Sequence, residues 1–185
     1  MTAAQYSRRI TSIERGYLNA ATQGDNPIIS FVIEGRGRLD PQELERAIVV
    51  TSRANPGLSV ARKGKLWLGT GEPPALEVHT TGAGEEWTDH PFLHTPLDLV
   101  HGPVASVGLI SDGHVDRLVI RVSHAVADGR GIERWTDDLF RAAGPATVDR
   151  HRPVLPLQGT TAPGPRCPVG EPRLASALTA GRRAG

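Results

Sequence analysis

The stretch VIRVSHAVADGRGIERW, Val119–Trp135, decides how the rest of this chain is read. It begins as a run of branched apolar residues and ends on the helical spacing of Ile132 and Trp135, with only a short link between. Extended back to Asp116, the run alternates as a strand does. Leu118, Ile120, Val122 and His124 fall on one face, and Val119, Arg121 and Ser123 fall on the other. His124 is therefore in phase with the apolar set at the strand's end. A histidine in that position serves either as hydrogen-bonded packing or as a base. Asp128-Gly129 also has two readings: a helix cap with a turn glycine, or a brace for the loop that carries the imidazole.

Working outward, PVASVGLIS (103–111) predicts a strand joined to the first by the turn DGHVD (112–116). GRGIERWTDDLFRAAG (129–144) predicts a helix whose Ile132, Trp135 and Leu139 form one buried stripe. A second helix is expected in LDPQELERAIVVTSRANPG (39–57). Asp40 can cap it, Pro41 suits its first turn, and Leu44, Ala47, Ile48 and Thr51 face inward. TSIERGYLNAA (11–21) has the capping-box spacing of Thr11 and Glu14, with Ile10, Ile13, Tyr17 and Leu18 on one face. NPIISFVIEGRG (26–37) and ALEVHTT (75–81) read as strands, and LSVARKGKLWLGTG (58–71) reads as a hairpin turning near Lys63-Gly64. The fold class expected is α/β, an α+β sandwich whose mainly antiparallel or mixed sheet is flanked by helices.

Composition narrows the function. A chain of 185 residues with 38% hydrophobic and 22% charged residues can bury one core. A net charge of +1 gives no reason to expect nucleic acid. No apolar run suggests a leader or a membrane span, so the expected compartment is the cytoplasm, with no membrane partner. Cys167 is the only cysteine, which excludes an intrachain disulfide. Residues 1–144 carry 15 Lys+Arg against 18 Asp+Glu, whereas residues 145–185 carry 6 Arg against 2 acids and hold 7 of the 15 prolines. The expected organisation is a lobe over 1–144 followed by a Pro-rich basic linker or partner-crossing tail over 145–185. Asp89, His90 and His94 in DHPFLH do not complete a ligand set, so no metal is expected. His79, His101 and His114 are expected to be solvated.

HAVADG (124–129) resembles the His-x-x-x-Asp-Gly signature of the chloramphenicol acetyltransferase-like superfamily, which includes nonribosomal-peptide condensation domains and polyketide-associated acyltransferases. Its surroundings resemble the family as well, in GRGRLDPQELERAIVVTSRANPGL (35–58) and in FLHTPLDLVHGPVASVGLI (92–110). The similarity runs over about residues 8–143 and implies the N-terminal lobe of a two-lobed fold. It implies His124 as the general base, Asp128 as structural support for its loop, and Gly129 and Ser123 as substrate-binding positions. Condensation domains have a second histidine where Ser123 stands, and many acyltransferases do not, which tilts the reading toward acyltransferase.

The implied activity is transfer of an acyl group from a thioester, on coenzyme A or on a phosphopantetheinyl carrier protein, to a hydroxyl or amine. No bound cofactor is implied. The second lobe's Asp-Phe-Gly-type motif has no counterpart in this sequence. The expected partners are therefore a second lobe-like chain or a second copy in a homodimer, besides a carrier protein. The rival from another class is a non-catalytic lobe that docks a carrier protein or a synthase. A third reading diverts the same base to cyclisation or isomerisation.

Overall fold

Each long helix begins on the cap its sequence offers. Asp40 Oδ1 accepts the Gln42 N–H at 2.8 Å and starts α2 (Pro41–Ala54). The Thr11–Glu14 capping box closes in both directions and starts α1 (Ser12–Thr22). Asp128 Oδ1 accepts the Gly131 N–H at 2.8 Å and starts α4 (Gly129–Ala143). Such caps satisfy N–H groups that the helix itself leaves without partners.

The computed structural model describes residues 6–24, 27–36, 38–82 and 84–144. The predicted tail of residues 145–185, with Cys167, lies outside these residues. The strands are β1 (Ser7–Arg9), β2 (Ile28–Arg36), β3 (Val60–Lys63), β4 (Leu66–Gly69), β5 (Leu76–Thr80), β6 (Ala105–Ser111) and β7 (Val115–Ser123), and a short α3 (Pro91–His94) precedes β6.

The strands form two sheets, one of four strands in the order β2-β7-β6-β5 and one of three in the order β1-β4-β3. All pairings are antiparallel except β5 with β6. The fold is thus α+β with mixed and antiparallel sheets flanked by helices, as the sequence predicted. The second sheet and the parallel pairing are new. Parallel neighbours need a crossover, and here it runs through residues 81–104 and includes α3.

β7 lies between β2 and β6 and is buried on both faces. On one face Leu118, Ile120 and Val122 meet Leu44, Ala47 and Ile48 of α2 and Ile132, Trp135 and Leu139 of α4. The inward stripes predicted for both helices are the ones that pack there. The other face is closed by the crossover, with Val119, Val32 and Ile110 against Phe92 of α3. A Cβ at Gly108 would come within 2.5 Å of the Phe92 ring, so glycine is what lets the ring lie on β6. Arg121 is 2% exposed on this face and donates to the Phe92 and Thr95 carbonyls, so the buried guanidinium caps the end of α3.

A second cluster joins α1 to the three-stranded sheet, with Ile10, Leu18, Val60, Trp67, Val104 and Ala125 at its centre. The expected face of α1 is corrected at one position. Leu18 is buried and Tyr17 half-buried, but Ile13 is 73% exposed. A short helix on a small sheet has room to bury only part of its apolar stripe.

Candidate functional site

β7 ends at Ser123, and His124 is the first residue of the turn that leads to α4. The backbone is held on both sides at this point. The Ser123 N–H donates to the Val104 carbonyl before β6 at 2.9 Å, and the His124 N–H donates to the Pro27 carbonyl before β2 at 2.8 Å. The imidazole thus leaves a main chain tied to both neighbouring strands.

Ser123 also shapes the turn. Its Oγ accepts the Ala125 N–H at 3.2 Å, and its carbonyl accepts the Val126 and Ala127 N–H groups at 3.0 and 3.4 Å. It is fully buried. Asp128 is exposed and caps α4, and the adjacent Gly129 is exposed as the helix's first residue. No arginine pairs with Asp128 among the described residues. A Cβ at Gly129 would meet no atom within 4 Å.

The His124 imidazole is half-buried, whereas the strand residues Leu118, Ile120 and Val122 that share its phase are fully buried. Once the strand gives way to a turn, the alternation that assigned the face no longer holds. The ring meets Tyr17 of α1 instead, with ring centroids 4.3 Å apart and planes inclined by 13°. Tyr17 Oη lies 3.5 Å from His124 Nε2. Neither ring nitrogen has a carboxylate partner among the described residues. The imidazole can therefore offer an in-plane lone pair to a molecule outside the lobe. Tyr17 is the neighbour that sequence reasoning missed. It stands 107 positions from His124, and its apolar phase in α1 marked it only as packing.

The remaining histidines lie elsewhere. His90 Nδ1 accepts the Phe92 N–H at 3.2 Å, and His94 Nε2 lies 3.1 Å from the Thr88 carbonyl. His79, expected to be solvated, is partly covered, with its ring 4.4 Å from that of His90 and 5.4 Å from that of Phe92. Burial, and then the neighbouring His90, hold its pKa below the ordinary imidazole value. The pair forms because the crossover is folded back onto β5, which no local pattern announces. Among the described residues no group of three or more His, Cys, Asp or Glu is placed to hold a metal ion. No helix among them is long and apolar enough to cross a membrane.

No family model and no curated protein matches the sequence. Solved structures do match the fold. The starter condensation domain of the rhizomide synthetase RzmA, in a mutant form, superposes with a TM-score of 0.63 at 14% identity, over 78% of this chain and 40% of that one. The epimerization domain from the third module of tyrocidine synthetase B, TycB3(E), gives 0.63 at 16% identity, over 76% and 35%. Tallysomycin biosynthesis protein TlmII gives 0.58 at 20% identity, over 75% and 37%. Another mutant of the RzmA domain is in complex with C8-CoA and Leu-SNAC. The chain thus spans 40% or less of the length of these three proteins. With its α+β sheets and with His124 directly after β7, this chain has the fold of one lobe of a condensation domain.

Proposed function

We propose that this chain is the N-terminal lobe of a thioester-dependent acyltransferase in which His124 is the general base. One observation carries the reading. A half-buried imidazole without a carboxylate partner in the described lobe stands on backbone tied to both neighbouring strands, in a lobe with the condensation-domain fold.

The step balances without a cofactor. His124 takes the proton of an acceptor hydroxyl or amine as that oxygen or nitrogen attacks the thioester carbonyl. The tetrahedral intermediate collapses, the C–S bond breaks, and the departing thiolate takes the proton back from the imidazolium. An ester or amide and a free thiol result. The donor is an acyl thioester of coenzyme A or of a phosphopantetheinyl carrier protein. Gly129 leaves room for the thioester arm. This is supported by the open space around it, since the lobe's own packing places nothing where a side chain would stand. Asp128 holds the loop through its cap on α4. Ser123 enters as a framework residue of the turn and not as a substrate contact, because it has no exposed surface.

A second lobe would face His124, exclude water and supply donors to the developing oxyanion. The partners proposed to supply such a lobe in trans are a second lobe-like chain or a second copy of this one. Sedimentation of the chain at tens of micromolar distinguishes them: a dimer supports pairing of copies. A monomer active only when a lobe-like chain is added supports the two-chain enzyme. A monomer inactive with every such chain favours the docking lobe.

The test of the chemistry uses the enzyme completed by its second lobe, with C8-CoA as donor, Leu-SNAC as acceptor and thiol release as the signal. Thiol release coupled to amide formation is expected, and its persistence at the parental rate in His124→Ala would overturn the assignment.

A further inference from the structure

We propose that Tyr17 is a positioning residue for His124, a flat platform that holds the imidazole in one orientation and favours its protonated form during turnover. The inference rests on the reading of His124 as the general base and adds a residue to that site.

The geometry separates stacking from hydrogen bonding. A phenol that hydrogen-bonds to Nε2 must approach in the plane of the imidazole, along the lone pair. Here the two planes are inclined by only 13° with centroids 4.3 Å apart, so the Tyr17 hydroxyl stands over the ring, and its 3.5 Å separation from Nε2 is not a donor contact. In the tautomer with its hydrogen on Nδ1, the Nε2 lone pair is then free for an acceptor's proton. Tyr17 presents its π face, the negative pole of its quadrupole, to a ring that becomes a cation once it has taken that proton. The contact strengthens in the state that the reaction must reach, which is the condition for an interaction to speed the chemical step.

The platform is itself held. Tyr17 follows the capping box of α1, where Glu14 also pairs with Arg8 of β1 at 2.5 Å. Its neighbour Leu18 is buried with Val104 and Ala125. Val104 accepts the Ser123 N–H through its carbonyl, and Ala125 follows His124, so the cluster that holds Tyr17 also holds the residue next to His124. Tyr17 lies on α1 and His124 follows β7, yet Tyr17 and Ala125, the residue after His124, belong to one cluster.

The test begins with the chain alone. The carbon-bound ring protons of His124 should resonate upfield from the Tyr17 ring current, keep that shift in Tyr17→Phe and lose it in Tyr17→Leu. In the enzyme completed by its second lobe, with C8-CoA and Leu-SNAC, Tyr17→Phe should keep kcat within about two-fold, because the hydroxyl makes no donor contact. Tyr17→Leu should lower kcat by roughly ten-fold with little change in KM, the order of magnitude of a ring-face contact to a cation.

Three results overturn the inference: an unshifted His124 resonance in the parent chain, a parental kcat in Tyr17→Leu, or a ten-fold loss in Tyr17→Phe, which would make the hydroxyl the acting group. Should Tyr17→Leu fail to fold, the Phe variant and the parent ring shift still decide. His124→Ala run alongside separates the two levels. If it is inactive while Tyr17→Leu matches the parent, only the platform falls. If His124→Ala keeps the parental rate, the base assignment falls.

Discussion

The two ends of β7 are built on opposite plans. At its start Asp112 Oδ1 accepts the His114 and Val115 N–H groups at 2.9 and 2.8 Å, and Gly113 takes the positive φ of 90° that the turn needs. Arg117 then bridges the turn to β2, donating to Asp112 at 2.9 Å and to Glu34 at 2.8 Å. Charge there is answered by charge, and the backbone polar groups of the turn find partners. At the other end the backbone is equally tied, but the side chains are not. His124 stacks on one ring, and Asp128 caps a helix without a salt bridge among the described residues. Charges that are fully partnered inside a lobe lock the fold. Groups left without charged partners are available to something outside it.

The largest expected effect breaks the free end without touching the fold. His124→Ala should lower acyl transfer by about 10²–10⁴-fold, the usual contribution of a general base. Its denaturation midpoint should stay near the parent's, because the imidazole makes no strong hydrogen bond inside the lobe. A marked loss of stability with unchanged transfer would show that the ring is packing.

The locked end should respond the other way round. Arg117→Met removes both ion pairs from a nearly buried side chain, and a loss of about 1–3 kcal/mol in unfolding free energy is expected. Transfer per folded molecule should not change. A drop in transfer there would mean that the two ends are coupled through β7.

Asp128→Ala sharpens the contrast because it belongs to both plans. Losing the cap should cost roughly 0.5–2 kcal/mol and loosen the turn that carries His124. Slower transfer accompanied by a lower melting temperature fits a bracing role. Slower transfer at an unchanged melting temperature would give the carboxylate a direct part in the chemistry.

The smallest effect is in acid. Backbone donation from Val115, then Arg117 and the His114 N–H, hold the Asp112 carboxyl well below the usual carboxylate range. A carboxyl depressed in the folded state stabilises it above the unfolded value, near pH 4, and that stabilisation is lost as the pH falls further toward the folded value. Asp112→Asn should therefore be less stable than the parent at neutral pH, and the difference should shrink between about pH 5 and about pH 2. A difference that does not vary with pH would show that the carboxylate contributes as a turn former and not as a charge.

Local signals were legible where they were strong. Thr11-Glu14, Asp40-Pro41 and Asp128-Gly129 mark helix starts because an N-terminal turn must find acceptors for its N–H groups within a few residues. The stripes of α2 and α4 show because a helix buried on one side repeats every three or four residues. The same rule misplaced Ile13, since periodicity states which residues share a face and not how much of that face a neighbour covers. Arg121 was legible only as an interruption in an apolar strand. Its role appears once the crossover brings the Phe92 and Thr95 carbonyls over it.

The sequence by itself determined the longer helices and strands, the helix caps, the order in which His124, Asp128 and Gly129 follow β7, and the resemblance that those residues carry, all of which depend on contacts within a few positions. Only the tertiary structure decided that β5 runs parallel to β6, that a separate three-stranded sheet forms, that Ser123 is sealed inside the turn, and that Tyr17 lies flat on His124. Those outcomes depend on which faces meet across long separations. An alternating or helical pattern specifies that a face is apolar, but it does not specify which partner will cover it.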